Sequence, residues 1–147
     1  MVSTRNFAVA ILFDSSGDLL LQLRDNIPNI LYPGKIGLFG GHREEDESFL
    51  DCIVREVHEE LSHYIPPERF ESVSHVTESD PNLPGGKMHV EIFMAREIPT
   101  MQLSVTEGAL KVVAPNDIDK FSEHLSPTAL FALETFFGRK LLKPQLK

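Results

Sequence analysis

Glu56, Glu59 and Glu60 stand at positions i, i+3 and i+4, a spacing that sets three carboxylates on one side of a helix. Three like charges so close repel one another. The cluster becomes favourable when a hard divalent cation takes the carboxylate oxygens, and Mg²⁺ or Mn²⁺ suits such ligands together with water and substrate phosphates. On an arbitrary helix the same trio is more often a solvated acidic face, so its surroundings decide the reading.

Upstream lie Gly41, five residues, Glu47, seven residues, Arg55-Glu56, the aliphatic Val57, one residue, and then Glu59-Glu60. In residue types and spacing this segment resembles the Nudix box. With usage of roughly 5 to 7% for each Gly, Glu and Arg position, chance agreement in a chain this long is on the order of 10⁻⁵. The pattern departs from the family at its end, where Ser62 replaces the usual glycine and His63 an aliphatic residue. Glycine there suits a left-handed turn, so Ser62 is expected to add local strain or alter the exit path. No expected ligand is lost.

The resemblance implies an α/β (α+β) fold, a mixed β-sheet sandwiched between α-helices. It also implies Mg²⁺-dependent hydrolysis, with Mn²⁺ as a substitute, of a diphosphate linkage joining a nucleoside to another moiety. Carried over by residue, Glu56, Glu59 and Glu60 would hold the metal, with the main-chain carbonyl of Gly40 or Gly41 as a further ligand, while Arg55 and Glu47 orient them. Two carboxylates are candidates for the base: Glu56, or Glu107 before Gly108, where many family members place a loop carboxylate. His42 follows the box glycine, within reach of the phosphates, and Gln22 and Arg24 on an early strand can reach base, sugar or phosphate. Each has a plainer reading: Glu107, His42 and Arg24 as solvent-exposed groups, Arg55 as a surface ion pair with Glu59, and His58 simply exposed.

These residues need a scaffold. Phe7–Phe13 and Leu19–Arg24 are apolar, β-prone runs around the turn formers 14–18, and are expected to form a hairpin buried on both faces. A Pro- and Gly-bearing loop, 25–35, and a short strand, Ile36–Phe39, lead into Gly40-Gly41. Phe49, Leu50, Ile53, Val54, Val57 and Leu61 give Glu47–Leu61 the stripe of an amphipathic helix. Phe70–Val76, Met88–Ala95 and Ala109–Ala114 read as strands; Ser126-Pro127 starts a second helix, Thr128–Phe137, that Gly138 closes.

The 147 residues suit one domain, 1–147, and 41% hydrophobic with 24% charged residues is ordinary for a folded chain. Fourteen Lys and Arg against 22 Asp and Glu give a formal charge of −8, which argues against extended nucleic acid and leaves a small phosphorylated molecule as partner. Cys52 is the only cysteine, excluding an internal disulfide and a Cys-rich zinc site, and a reducing cytoplasm is the simplest compartment. The run 7–13 is too short for a membrane span, so neither anchor nor signal peptide is expected, and a homodimer is left open. Two rival functions share the scaffold. A prenyl-diphosphate isomerase would use a cysteine, yet Cys52 lies among core positions; a non-catalytic nucleotide- or protein-binding Nudix domain typically loses box carboxylates, and this chain keeps them.

Overall fold

Alternation along one strand organises the two hydrophobic layers. In the computed structural model, which describes residues 3–143, β1 (Thr4–Asp14) sends Ala8, Ala10 and Leu12 to one face and Phe7, Ile11 and Phe13 to the other. It pairs with β2 (Leu19–Leu23) in the register Leu12↔Leu20 and Phe13↔Leu19, the hairpin expected around 14–18. β6 (Lys87–Ile98) lies parallel to β1 on its other side, and β5 (Glu71–Ser79) pairs antiparallel with β6. β7 (Ala109–Val113) pairs with β2, completing with the short strands below a seven-stranded mixed sheet.

Ala8 and Ala10 are small, which lets α1 (Phe49–Leu61) pack close through Cys52, Ile53, Val57 and Leu61. On the opposite face Ala129, Ala132 and Leu133 of α2 (Pro127–Phe137) cover Ile11, Leu21 and Ile92. Each large apolar side chain so buried contributes roughly 1.5 to 3 kcal/mol against exposure. The mixed sheet between helices is the expected fold. Among the described residues no helix is long and apolar enough to cross a membrane.

Several boundaries differ from expectation. The first helix begins at Phe49, not Glu47, because Ser48 takes the N-cap position and its hydroxyl accepts the Asp51 N–H at 3.0 Å. Glu47 remains in the preceding turn, free of helical geometry. The strand expected at Ile36–Phe39 is two, β3 (Ile36–Gly37) on β2 and β4 (Phe39–His42) on β1, with Leu38 at the change of partner. β5 and β6 run longer than their apolar cores, since alternation continues into polar positions. A ten-residue 3₁₀ segment, Pro115–His124, was not foreseen, and α2 starts one residue early, at Pro127, under the Ser126 cap.

Ser62 occupies the left-handed position that glycine would favour, with φ 55° and ψ 34°, and its hydroxyl donates to the Ser104 carbonyl at 2.9 Å. The left-handed backbone costs about 1 kcal/mol for a residue with a Cβ, and the hydrogen bond returns about as much. Ser62→Gly is therefore expected to leave stability nearly unchanged, whereas Ser62→Ala, which keeps the backbone cost and loses the bond, should lose about 1 kcal/mol. Urea unfolding of both variants checks this; a Gly variant less stable than the Ala variant would contradict it.

Candidate active site

The β4 segment is built from glycines because two other groups need the space. A Cβ on Gly40, whose φ is 149°, would stand 2.1 Å from the Ala8 carbonyl oxygen, and one on Gly41 would stand 2.4 Å from the Glu56 carboxyl carbon. Backbone and carboxylates thus meet at close quarters. Glu60, only 4% exposed, accepts the Gly40 N–H at 2.8 Å and the Gln22 amide at 3.2 Å. Burial pushes its pKa up to about 8, the charges of Glu56 and Glu107 add to the rise, and the Gly40 and Gln22 donors oppose it. Glu56 is half-buried and is likewise raised, first by burial, with Arg55 opposing and Glu59 and Glu107 reinforcing.

Arg55 is no simple surface pair. Its Nε and Nη2 donate to the two carboxylate oxygens of Glu47 at 2.7 and 2.9 Å, Nη1 donates to Glu56 at 2.9 Å, and Nη2 also reaches the His42 carbonyl at 3.1 Å. The Glu59 contact expected from i, i+4 spacing is the longest of these, at 3.4 Å. This bidentate clasp holds the Glu47 carboxyl down at about 2. Glu47 and Arg55 thus form a strut that fixes the Glu56 carboxylate and the backbone at His42.

The segment after β6 docks on the end of α1. Ser104 N–H donates to the Leu61 carbonyl at 3.0 Å, Thr106 N–H to the Glu60 carbonyl at 2.9 Å, and the Thr106 hydroxyl to the Glu59 carbonyl at 3.1 Å. Carbonyls that a helix end leaves without partners are satisfied by this loop. The next residue, Glu107, is thereby set beside the helix, near enough that its charge raises both Glu56 and Glu60. Its carbonyl accepts the other Gln22 amide bond at 3.0 Å.

The remaining sequence candidates divide. Gln22 is 2% exposed and spent on Glu60, Glu107 and Arg24, so it braces the carboxylates. Arg24 is anchored by the Leu31 carbonyl at 2.6 Å and by Gln22 at 3.0 Å. It lines a cavity of about 290 Å³ together with Gly40, Gly41, His42, Glu56 and Glu107, and with Glu107 and Gln22 a smaller one of about 220 Å³. His42 is exposed, edge-on to Phe7 at 5.2 Å, while His58 sits edge-on to Tyr64 and does not line this cavity. Glu59 stays 58% exposed beside Arg55, and among the described residues no three His, Cys, Asp or Glu side chains converge on one point as they stand. Leu31 and Tyr32, from the loop 25–35 where the sequence places substrate-discriminating contacts, also line the larger cavity, as do Ser126 and Thr128, which sequence reasoning missed. Only Ser126 carried a local signal, and that signal was for a helix cap.

The model of the NUDIX domain family matches residues 3–143. The chain belongs to the Nudix family. As a Nudix hydrolase it acts on phosphorus-containing anhydrides. The fold agrees with solved structures: the MutT NUDIX hydrolase from Burkholderia pseudomallei is similar with a TM-score of 0.73 at 23% identity, over 90% of this chain and 98% of that one. The E. coli ORF135 protein gives 0.70 at 22% identity over 93% and 91%, and the E. coli dihydroneopterin triphosphate pyrophosphohydrolase 0.69 at 18% over 92% and 97%. No curated protein sequence matches the chain.

Proposed function

We propose that this Nudix hydrolase is a Mg²⁺-dependent pyrophosphohydrolase acting on a nucleoside diphosphate joined to a further group, with Mn²⁺ able to substitute. One observation carries the reading: Glu56, Glu60 and the loop residue Glu107 gather beside Gly40-Gly41 at a cavity, close enough for Glu56 and Glu107 to raise Glu60. The donor set is all oxygen and anionic, which fits a hard cation that uses one or two carboxylates plus water and phosphate. Glu56, Glu60 and the Gly40 carbonyl would hold it, and Glu59 joins by turning an exposed, flexible side chain. When bound, Mg²⁺ lowers the pKa of a water and offsets charge on the phosphate oxygens.

The chain's own groups do the rest. Arg55 and Glu47 hold Glu56 in place, Gln22 and the Gly40 N–H hold Glu60, and Arg24 supplies a permanent cation for phosphate or ribose. Glu107, with no helix geometry to satisfy, accepts the proton of the attacking water, which requires it within hydrogen-bond reach of that water. Glu56 is the second candidate. Cys52 argues against the isomerase reading, because it is fully buried and burial pushes its thiol up to about 12. A buried, protonated cysteine also suits a reducing cytoplasm. The E. coli dihydroneopterin triphosphate enzyme shares the scaffold, and at 18% identity it lends the fold and no substrate.

The test is a panel of nucleotide diphosphates with both products identified. Hydrolysis is expected with Mg²⁺ or Mn²⁺ and is expected to stop in excess chelator; full turnover in chelator would overturn the metal assignment. Glu107→Gln should depress kcat strongly and leave Mg²⁺ affinity nearly intact, whereas Glu56→Gln should weaken both. A Glu107→Gln enzyme with wild-type kcat across pH passes the role of base to Glu56.

A further inference from the structure

The two cavities, of about 290 and 220 Å³, share Arg24 and Glu107 as lining residues and no others. The Arg24 guanidinium is held in place there. Nε donates to the Leu31 carbonyl at 2.6 Å and Nη1 to the Gln22 amide oxygen at 3.0 Å, while Nη2 has no partner among the described residues. Arg24 forms no ion pair with Glu107, although both line the same two spaces. A fixed cation and a separate carboxylate suit a phosphate on the first and its attacking water on the second.

The smaller cavity differs in character from the larger. Loop 25–35 gives it Asp25, Ile27 and Ile30, and the residue after Glu107 gives it Gly108. Gly108 has φ 67°, and a Cβ there would stand 2.4 Å from the Leu23 carbonyl oxygen, so this wall lies tight against β2. Ile27 is 51% exposed, an apolar side chain that the fold itself leaves uncovered. Among the residues lining this cavity Arg24 is the single cation, against the two carboxylates of Asp25 and Glu107. Once Arg24 serves a diphosphate, a further phosphate in this space meets only negative charge. An uncharged ring with hydroxyls meets apolar carbon in Ile27 and Ile30 and an acceptor in Asp25.

We propose that the smaller cavity holds the group linked to the nucleoside diphosphate, and that this group is an uncharged, hydroxyl-bearing ring such as a sugar, not a terminal phosphate. The diphosphate then lies at Arg24 and Glu107, with the nucleoside in the larger cavity. The inference rests on the phosphoanhydride reading above and narrows its substrate to nucleotide sugars, setting nucleoside triphosphates aside.

Pairs with a shared nucleoside separate the two classes: UDP-glucose against UTP, ADP-ribose against ATP, and GDP-mannose against GTP. For wild type, kcat/KM is expected to favour the sugar member of at least one pair by about tenfold or more, and equilibrium binding with Ca²⁺ in place of Mg²⁺ should follow the same order. Two exposed positions test the cavity and leave the core untouched. Ile27→Ser removes apolar contact and should cut the preference about fivefold, chiefly through the KM of the sugar member. Asp25→Lys adds a second cation to the cavity and should narrow the gap from the other side, by improving the triphosphate. If no sugar member reaches a tenfold advantage, or either folded variant keeps the wild-type ratio, the assignment is overturned and the hydrolase reading stands. If the sugar members bind preferentially and the variants reduce that preference, yet nothing is hydrolysed, the hydrolase reading falls and the cavity assignment stands. A chain that neither binds nor cleaves either class overturns both.

Discussion

A Glu60→Gln enzyme is expected to turn over at least tenfold more slowly than wild type, a loss of about 1.4 kcal/mol of transition-state stabilisation, while gaining stability when no metal is present. The two effects have one cause. Glu60 sits buried beside Glu56 and Glu107, and its carboxyl is raised from 4.5 to about 8. The folded chain therefore holds a proton that the unfolded chain releases. For such a group the contribution to stability is complete below the unfolded value near 4.5 and drains away as pH rises toward 8. Thermal unfolding of metal-free wild type should show Tm falling across that window, and the Gln variant should flatten the fall. Added Mg²⁺ should raise the Tm of wild type above pH 7 and release a proton on binding. Wild-type turnover in Glu60→Gln, or a Tm–pH slope that the substitution leaves unchanged, would defeat the assignment. Glu59→Gln is expected to lower turnover at least tenfold as well, without the stability gain, because Glu59 is exposed.

Arg55→Ala should act in the opposite sense, costing stability and activity together. Glu47 is held at about 2 by the Arg55 clasp, against an ordinary 4.5. A depressed carboxylate contributes stability above its unfolded value and loses it as pH falls through the folded one, here from 4.5 down to 2. Acid unfolding should therefore move to higher pH in Arg55→Ala, and the Glu56 carboxylate, no longer steered, should lose metal affinity. Arg55→Lys keeps the charge without the two-pronged geometry and should recover only part of either loss. An acid midpoint equal to that of wild type in both variants would reduce Arg55 to a surface charge.

How far the sequence could be read follows from what kind of signal each residue carries. The box announced itself because its chemistry is contiguous: Gly41, Glu47, Arg55, Glu56, Glu59 and Glu60 fall on the end of β4, the turn after it and one helix. The double-sided burial of β1 and the cap at Ser126 were legible for the same local reason, period-two alternation and a Ser-Pro start. Ser48, one residue past Glu47, caps the helix and starts it later than the apolar stripe alone implies. Gln22 is a substrate candidate on the sequence because polar residues on that strand sometimes reach substrate in similar proteins. Its partners, Glu60 and the Glu107 carbonyl, lie 38 and 85 residues away, beyond any local pattern. Glu78 and Thr128 escaped for that reason too: β5 and α2, distant in the chain, supply them.

The docking of Ser104 and Thr106 on the last carbonyls of α1 gives Glu107 an unusual mechanical position. Most loop residues inherit their placement from two strand ends and drift when either moves. Here the loop is riveted to the same helix that carries Glu56 and Glu60, and Gln22 of β2 ties both Glu60 and the Glu107 main chain to the sheet, so helix, loop and sheet hold the three residues as one bracket. Lengthening the link between Thr106 and Gly108 by one residue would loosen a single arm of the bracket, and the span between Glu107 and the helix carboxylates would become a variable of the chain.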